Sequence, residues 1–260
     1  MLRRVPTSEP PVSEGHGSGE ASTDEDLSEP ILPGTAPSDY ERYLRTEELL
    51  ALQKAPGEVS HRDELLFQTV HQSSELWLKL ASVEVEEAAL LLVDRQPAPA
   101  LRLLRRAHDC LKNVMAALDM LEHMSPWEYT ALIRPVLGHG SGFDSPGFRE
   151  VRRVSPRLGD AFHRLRREKD LTLLELYQRG REHEDLYQLA EALTEWDERV
   201  TLWRVRHFKV VERIIGAGAI GTQGTPVELL GRLIHSRMYP ELWEVRNELT
   251  ETAKQRSKST

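Results

Sequence analysis

Cysteine is almost absent from this chain: Cys110 is the only one in 260 residues. A lone thiol forms no intrachain disulfide and cannot build a thiolate-rich metal site. The Cys-x-x-Cys-His signature of covalently attached c-type haem is missing too. No stretch approaches the ~18 consecutive apolar residues that span a bilayer, and no apolar signal-peptide core follows Arg3 and Arg4. Cytoplasmic residence without membrane attachment is the expectation. An excess of basic charge is lacking as well: 34 Lys and Arg stand against 42 Asp and Glu, a net charge of −8. That balance argues against nucleic acid or an anionic membrane as partner. The local runs Arg102, Arg105, Arg106 and Arg164, Arg166, Arg167 read as solvated helix faces.

What is present is helical patterning with enough apolar content, 39%, for one substantial core. Residues 1–37 gather Pro, Gly, Ser and acids without an aliphatic pattern and are expected to be a disordered tail. Ser38-Asp39-Tyr40-Glu41 has the form of a capping box, predicting a helix over about 39–53. Apolar residues recur at three- and four-residue steps from Arg62 to Val93 and again over about 100–123, with Pro97 and Pro99 between them, so the two helices should form an antiparallel pair. Ser125-Pro126 starts a short helix. The glycine-rich stretch Gly138 to Gly147 is the candidate functional loop, helical pattern resumes over 158–178, and a long helix is expected over about 183–215. Gly216 ends it, and a second loop, Gly221-Thr222-Gln223-Gly224-Thr225, precedes the closing helices. No segment alternates like a strand. The prediction is an all-α helical bundle in a single domain over 38–251, followed by a flexible tail over 252–260.

Two histidines carry the candidate chemistry. His71 shares a helix face with Phe67, Ser74 and Leu78; His207 lies with Trp203, Val210, Val211 and Ile214 on another apolar stripe. Each alone is read first as a satisfied core residue. Together they raise the case for a common purpose, because two buried imidazoles need partners. Neither has a Cys or His three or four residues on, so a structural zinc site is not built. Haem needs one axial ligand and an apolar slot, which a helical bundle can supply. Arg134, beside the glycine loop, could fork onto a carboxylate or pair with a surface acid. Thr225 could bind a ligand or simply cap the helix that follows.

Taken in order, several blocks resemble the tryptophan 2,3-dioxygenase family of haem enzymes. They are Tyr40-Glu-Arg-Tyr43-Leu44, Phe67 through Leu80 with its His-Gln-x-Ser-Glu-Leu-Trp-Leu-Lys-Leu core, Glu128-Tyr129 with Arg134, and Ser141-Gly-Phe-Asp-Ser145. Trp203-Arg-Val-Arg-His207, Gly221-Thr-Gln-Gly-Thr225 and Pro240-Glu-Leu-Trp-Glu-Val-Arg246 complete the set. The resemblance implies a b-type haem whose iron is ligated by His207, with Trp203 beside the cofactor and His71 on the distal side as the catalytic residue touching the substrate's ring N–H. Phe67 would pack on the substrate ring, Arg134 would pair with its carboxylate and Thr225 with its ammonium or carboxylate. It further implies a homotetramer in which Tyr40 and Tyr43 act in a neighbour's site. The implied reaction is insertion of both atoms of O2 into the indole C2–C3 bond of tryptophan, giving N-formylkynurenine. Divergent relatives that hydroxylate a substituted tryptophan or tyrosine are the alternative, and a non-catalytic haem-binding or structural helical protein is a second.

Three departures from the family pattern stand out. The family usually has Glu-Tyr-x-x-Phe-Arg, whereas Arg134 comes five residues after Tyr129 and follows Ile133. The second loop runs Gly221-Thr-Gln-Gly-Thr-Pro-Val227 where the family has further small residues, which changes how it can close. The interval from Gly147 to Trp203 is shorter by several tens of residues, so a peripheral helical element is expected to be missing.

Overall fold

The computed structural model describes residues 29–258. The first 28 residues of the expected tail, and residues 259 and 260, lie outside the described residues. The chain divides into two units, one ending at Leu52 and one starting at Gln53.

In the first unit the single helix expected over 39–53 is two: α1 (Asp39–Leu44) and α2 (Thr46–Leu50). Arg45 takes left-handed angles, φ 53° and ψ 47°, which end the first helix because a continuing helix cannot pass through them. Ser38 caps α1, its hydroxyl accepting from the Glu41 N–H at 3.3 Å and donating to Glu41 Oε2 at 2.6 Å. Residues 31–36, which the sequence places in the tail, are tied to α1. The Ile31 and Leu32 amides donate to Asp39, and Arg42 donates to the Leu32 and Ala36 carbonyls. Those two amides hold the Asp39 carboxyl below its usual pKa.

The second unit is built on four long helices, α3 (Asp63–Val93), α4 (Pro97–Leu121), α6 (Pro146–Arg167) and α8 (Glu184–Ile215), with a short α5 (Pro126–Glu128) between the second and third. Leu78, Ala81, Val85, Ala88 and Leu92 form the buried seam of α3, and Leu104, Ala107, Leu111, Val114, Leu118 and Leu121 that of α4. The alternating three- and four-residue steps keep each seam on one face, and the alanines let the helices approach closely. α3 packs on α4 and α6, and α4 packs on α8. A second, smaller core of Val70, Leu118, Leu121, Met124, Ile133, Val210 and Ile214 closes one end of the bundle.

Three boundaries differ from the sequence reading. Pro97 opens α4 at its first turn, where a missing N–H costs nothing. α6 begins at Pro146 rather than near 158, because Ser145 caps it and Pro156 is accommodated inside it. α7 (Leu173–Gln178) and a 3-10 turn at Gly180–Glu182 make the whole connection from α6 to α8. α9 (Glu228–Leu233) and α10 (Pro240–Lys258) close the chain, so residues 252–258, expected as a flexible tail, are helical. Buried Asp197 on α8 anchors α10: its Oδ2 accepts from the Met238 and Tyr239 amides and the Trp243 indole at 2.9–3.2 Å. Among the described residues there is no strand beyond an isolated bridge between Ile220 and Pro226, and no helix long and apolar enough to cross a membrane.

Candidate active site

Phe67 and His71 stand one turn apart on α3 with ring centroids 4.0 Å apart. The His71 Nδ1–H donates to the Phe67 carbonyl at 2.7 Å. A carbonyl only accepts, so this bond fixes the tautomer and leaves Nε2 of the neutral ring as a bare acceptor. The His71 side chain faces the open cavity and is solvent-exposed, not the satisfied core residue of the sequence reading. Desolvation by the surrounding protein still lowers its pKa from the ordinary value, against the pull of that carbonyl and of Glu75. On α8, Trp203 and His207 are likewise one turn apart and stacked, 5.0 Å between centroids and 8° between planes, and Phe148 of α6 stacks on Trp203 at 3.6 Å. Burial, reinforced by the repulsion of His71, pushes the His207 pKa down to about 4. Both imidazoles are therefore neutral at pH 7.

These side chains line a cavity of about 630 Å³ at the smaller-core end of the bundle. That volume lies within the range of small-molecule and cofactor sites. Two loops contribute the rest of its wall. In the first, Gly142 passes beside His207 so that a Cβ there would stand 3.7 Å from Nε2. Glu75, one turn beyond His71, holds this loop by accepting from the Ser145 hydroxyl at 2.5 Å and the Gly147 amide at 2.8 Å. Gly147 has no alternative: a Cβ would meet Leu78 at 2.6 Å and Glu75 at 2.7 Å. The second loop is fastened to the first. Thr222 donates to the Gly140 carbonyl at 2.5 Å and Gln223 to Asp144 at 2.6 Å.

Arg134 also lines the cavity. The residues before it, Tyr129–Ile133, form a turn of π-helix, and the Arg134 amide donates five residues back to the Tyr129 carbonyl. A π-turn absorbs one surplus residue within a helix, which is how the arginine reaches the wall despite its longer interval from Tyr129. Its guanidinium donates to the Ile220 carbonyl, not to a surface acid. Thr225 lines the cavity and does not cap α9, whose first turn follows Val227 without a side-chain cap. Tyr40 and Tyr43 stand on α1 in the other unit, with exposed side chains.

Comparison with known proteins gives the family. The family model described as tryptophan 2,3-dioxygenase matches residues 32–172. Proteins named tryptophan 2,3-dioxygenase from Bacillus thuringiensis and Bordetella parapertussis are 32% and 30% identical, each match covering 81% of this chain and 92% and 90% of the relative. One from Polaromonas is 30% identical over 94% of this chain and 99% of its own length. The chain belongs to the tryptophan 2,3-dioxygenase family. The match to the Bacillus dioxygenase runs over 261 positions and takes in 81% of this chain, so about 50 of those positions have no residue here.

The sequence reading missed the supporting members of this dioxygenase-family site. Glu75 was visible as the i+4 neighbour of His71, a spacing that puts both on one helix face. Phe148 enters through tertiary packing and left no local signal, whereas Tyr129 stood in the Glu128-Tyr129 block without a role assigned to it.

Proposed function

We propose that this protein is a haem-dependent tryptophan 2,3-dioxygenase, held by His207 at the iron and selecting its substrate with His71, Phe67, Arg134 and Thr225. The observation that carries this reading is the convergence of five residues, from positions 67 to 225 and from helices and loops alike, on one cavity. The cavity suits the cofactor. His207 is neutral, the Trp203 indole N–H is buried there without a partner, and the glycine at 142 leaves the Nε2 side free of a side chain. Haem bound there supplies the iron that activates O2 for insertion into the indole C2–C3 bond, giving N-formylkynurenine.

The protein's own part is positioning. The bare His71 Nε2 accepts the indole N–H, and the Phe67 ring packs against the indole. Arg134 forks onto the carboxylate, exchanging the Ile220 carbonyl for a charged partner. Thr225 takes the ammonium or the carboxylate, and the two fastened loops exclude water. Losing the carboxylate contact costs at most about 1.5–3 kcal/mol, the worth of a charge-assisted hydrogen bond, because the arginine then returns to the Ile220 carbonyl. We further propose a cytoplasmic homotetramer in which Tyr40 and Tyr43 reach a neighbouring site; native mass spectrometry tests the assembly.

A second reading, hydroxylation of a substituted tryptophan or tyrosine, is favoured by Gln223, which lines the cavity from the second loop. Product mass spectrometry with labelled O2 separates the two. Two labelled atoms in the product support the dioxygenase and one supports the hydroxylase. A well-folded, haem-supplied protein with no Soret band overturns both. His207→Ala is expected to lose haem and His71→Ala to keep it; unchanged haem content in the first variant would overturn the axial assignment.

A further inference from the structure

Two arginines line the same cavity with no part in the site described above: Arg152 on α6 and Arg204 on α8, one turn before His207. Among the described residues neither has a carboxylate within ion-pair distance. Arg204 is half-buried, and its Nη1 donates to the Leu233 and Ser236 carbonyls at 3.2 and 2.5 Å, leaving Nε and Nη2 without a protein acceptor. The nearest acid to act on it, Asp197, already accepts three hydrogen bonds from the start of α10. Burial and the charge of Arg152 both disfavour the Arg204 cation. Arg152 is more exposed and, among the described residues, makes no hydrogen bond or ion pair.

A desolvated guanidinium beside a second positive charge, without a counter-ion, is an arrangement folding alone does not favour. Planar guanidinium forks match carboxylates. We propose that Arg152 and Arg204 form an anion subsite in the cavity wall that takes a carboxylate. Two sources share that chemistry: the propionates of haem, which rests on the cofactor reading above, and a free or substrate-borne acid. The subsite is distinct from Arg134, which lies on the loop side of the cavity, bonded to Ile220.

The test uses the full chain and Arg152→Gln, a substitution at an unpaired, exposed position that leaves the fold intact. Affinity for haem and for haem dimethyl ester is read from quenching of tryptophan fluorescence and from the Soret band. One charge-assisted contact at a partly solvated site is worth roughly tenfold in affinity. If the propionates are the ligand, the wild-type protein binds haem about tenfold more tightly than the ester, and Arg152→Gln loses most of that preference. If the acid is free or substrate-borne, both porphyrins bind alike, and succinate binds the wild-type protein at least fivefold better than Arg152→Gln. Equal affinity for both porphyrins together with succinate binding indifferent to residue 152 overturns the subsite. A protein that takes up neither porphyrin sinks the cofactor reading, and the succinate titration of the cofactor-free chain then decides the subsite alone.

Discussion

Replacing Glu75 by alanine tests how the site is held together. The Glu75 carboxylate accepts from the Ser145 hydroxyl and the Gly147 amide, and the same hydroxyl accepts from the Phe148 amide at 3.1 Å to cap α6. Without the carboxylate, the buried Gly147 N–H is orphaned, at a cost of about 1–3 kcal/mol. The Ser145 hydroxyl also loses the acceptor that orients it as a cap, and a weakened cap costs about 1 kcal/mol. Glu75→Ala should therefore destabilise the protein by about 2–4 kcal/mol. Glu75→Gln keeps the side-chain volume and one acceptor oxygen, so roughly half that loss is expected. Urea unfolding followed by far-ultraviolet circular dichroism gives both values. A loss below about 0.5 kcal/mol for Glu75→Ala, smaller than the net worth of a single hydrogen bond, would refute the assignment. So would a glutamine variant as unstable as the alanine one.

Other positions yield further tests. A Cβ at Gly159 would stand 2.9 Å from the ring of buried Tyr239, so Gly159→Ala should cost about 1–3 kcal/mol by overpacking, read as a lowered thermal midpoint. Gln223→Gly removes one of the fastenings between the two loops; amide exchange over 219–226 should speed up several-fold while α4 is unchanged, and unchanged loop exchange would remove Gln223 from the latch. Burial lowers the pKa of His108, with Glu195 opposing. The unfolded chain therefore takes up a proton near pH 6.5 before the folded one does, and stability falls as pH drops below that value until the folded-state pKa is passed. His108→Gln should flatten the dependence of the thermal midpoint between pH 7.5 and 5.5; an unaltered slope would show that another group sets it.

The legible parts of this fold are those where one local cause decides. The seams of α3 and α4 read directly as helices because every third or fourth residue is apolar and neither helix interior is interrupted by glycine or proline. α6 was half hidden because Pro156 looks like a boundary. Inside the structure Ser155 turns that position into a junction: its hydroxyl donates to the Val151 carbonyl and accepts the Trp196 indole, and its carbonyl accepts from Tyr239. Those partners are 41 and 84 residues away, so no window of sequence contains them. The break at Arg45 was equally silent, since arginine has no special preference for left-handed angles. The site divides the same way. His71 and His207 stood out as imidazoles on apolar faces, whereas Arg152 and Arg204, 52 residues apart, carry no local signal of the cavity that the fold places both on.

The π-turn at Tyr129–Ile133 shows how an altered spacing can leave a site intact. One extra residue in a regular α-helix rotates everything after it by about 100°. Here that rotation would carry Arg134 off the cavity wall and turn Ile133 out of the smaller core, in which it is completely buried. Burying an isoleucine side chain is worth about 1.5–3 kcal/mol. That gain opposes a rotated helix and favours concentrating the surplus residue in one wide turn, with Leu132 left exposed. Pro135 supports the same outcome: it has no N–H to donate to the preceding turn, so the helix tightens to a 3-10 turn over Arg134–Leu137 immediately afterwards. The arginine is thus positioned by the core residue before it and the proline after it. Deleting Ala131 should convert the wide turn to regular helix while Ile133 and Arg134 keep their places. With Arg134 binding a substrate carboxylate as proposed, a deletion variant that folds stably yet shows no preference for that carboxylate would contradict this account.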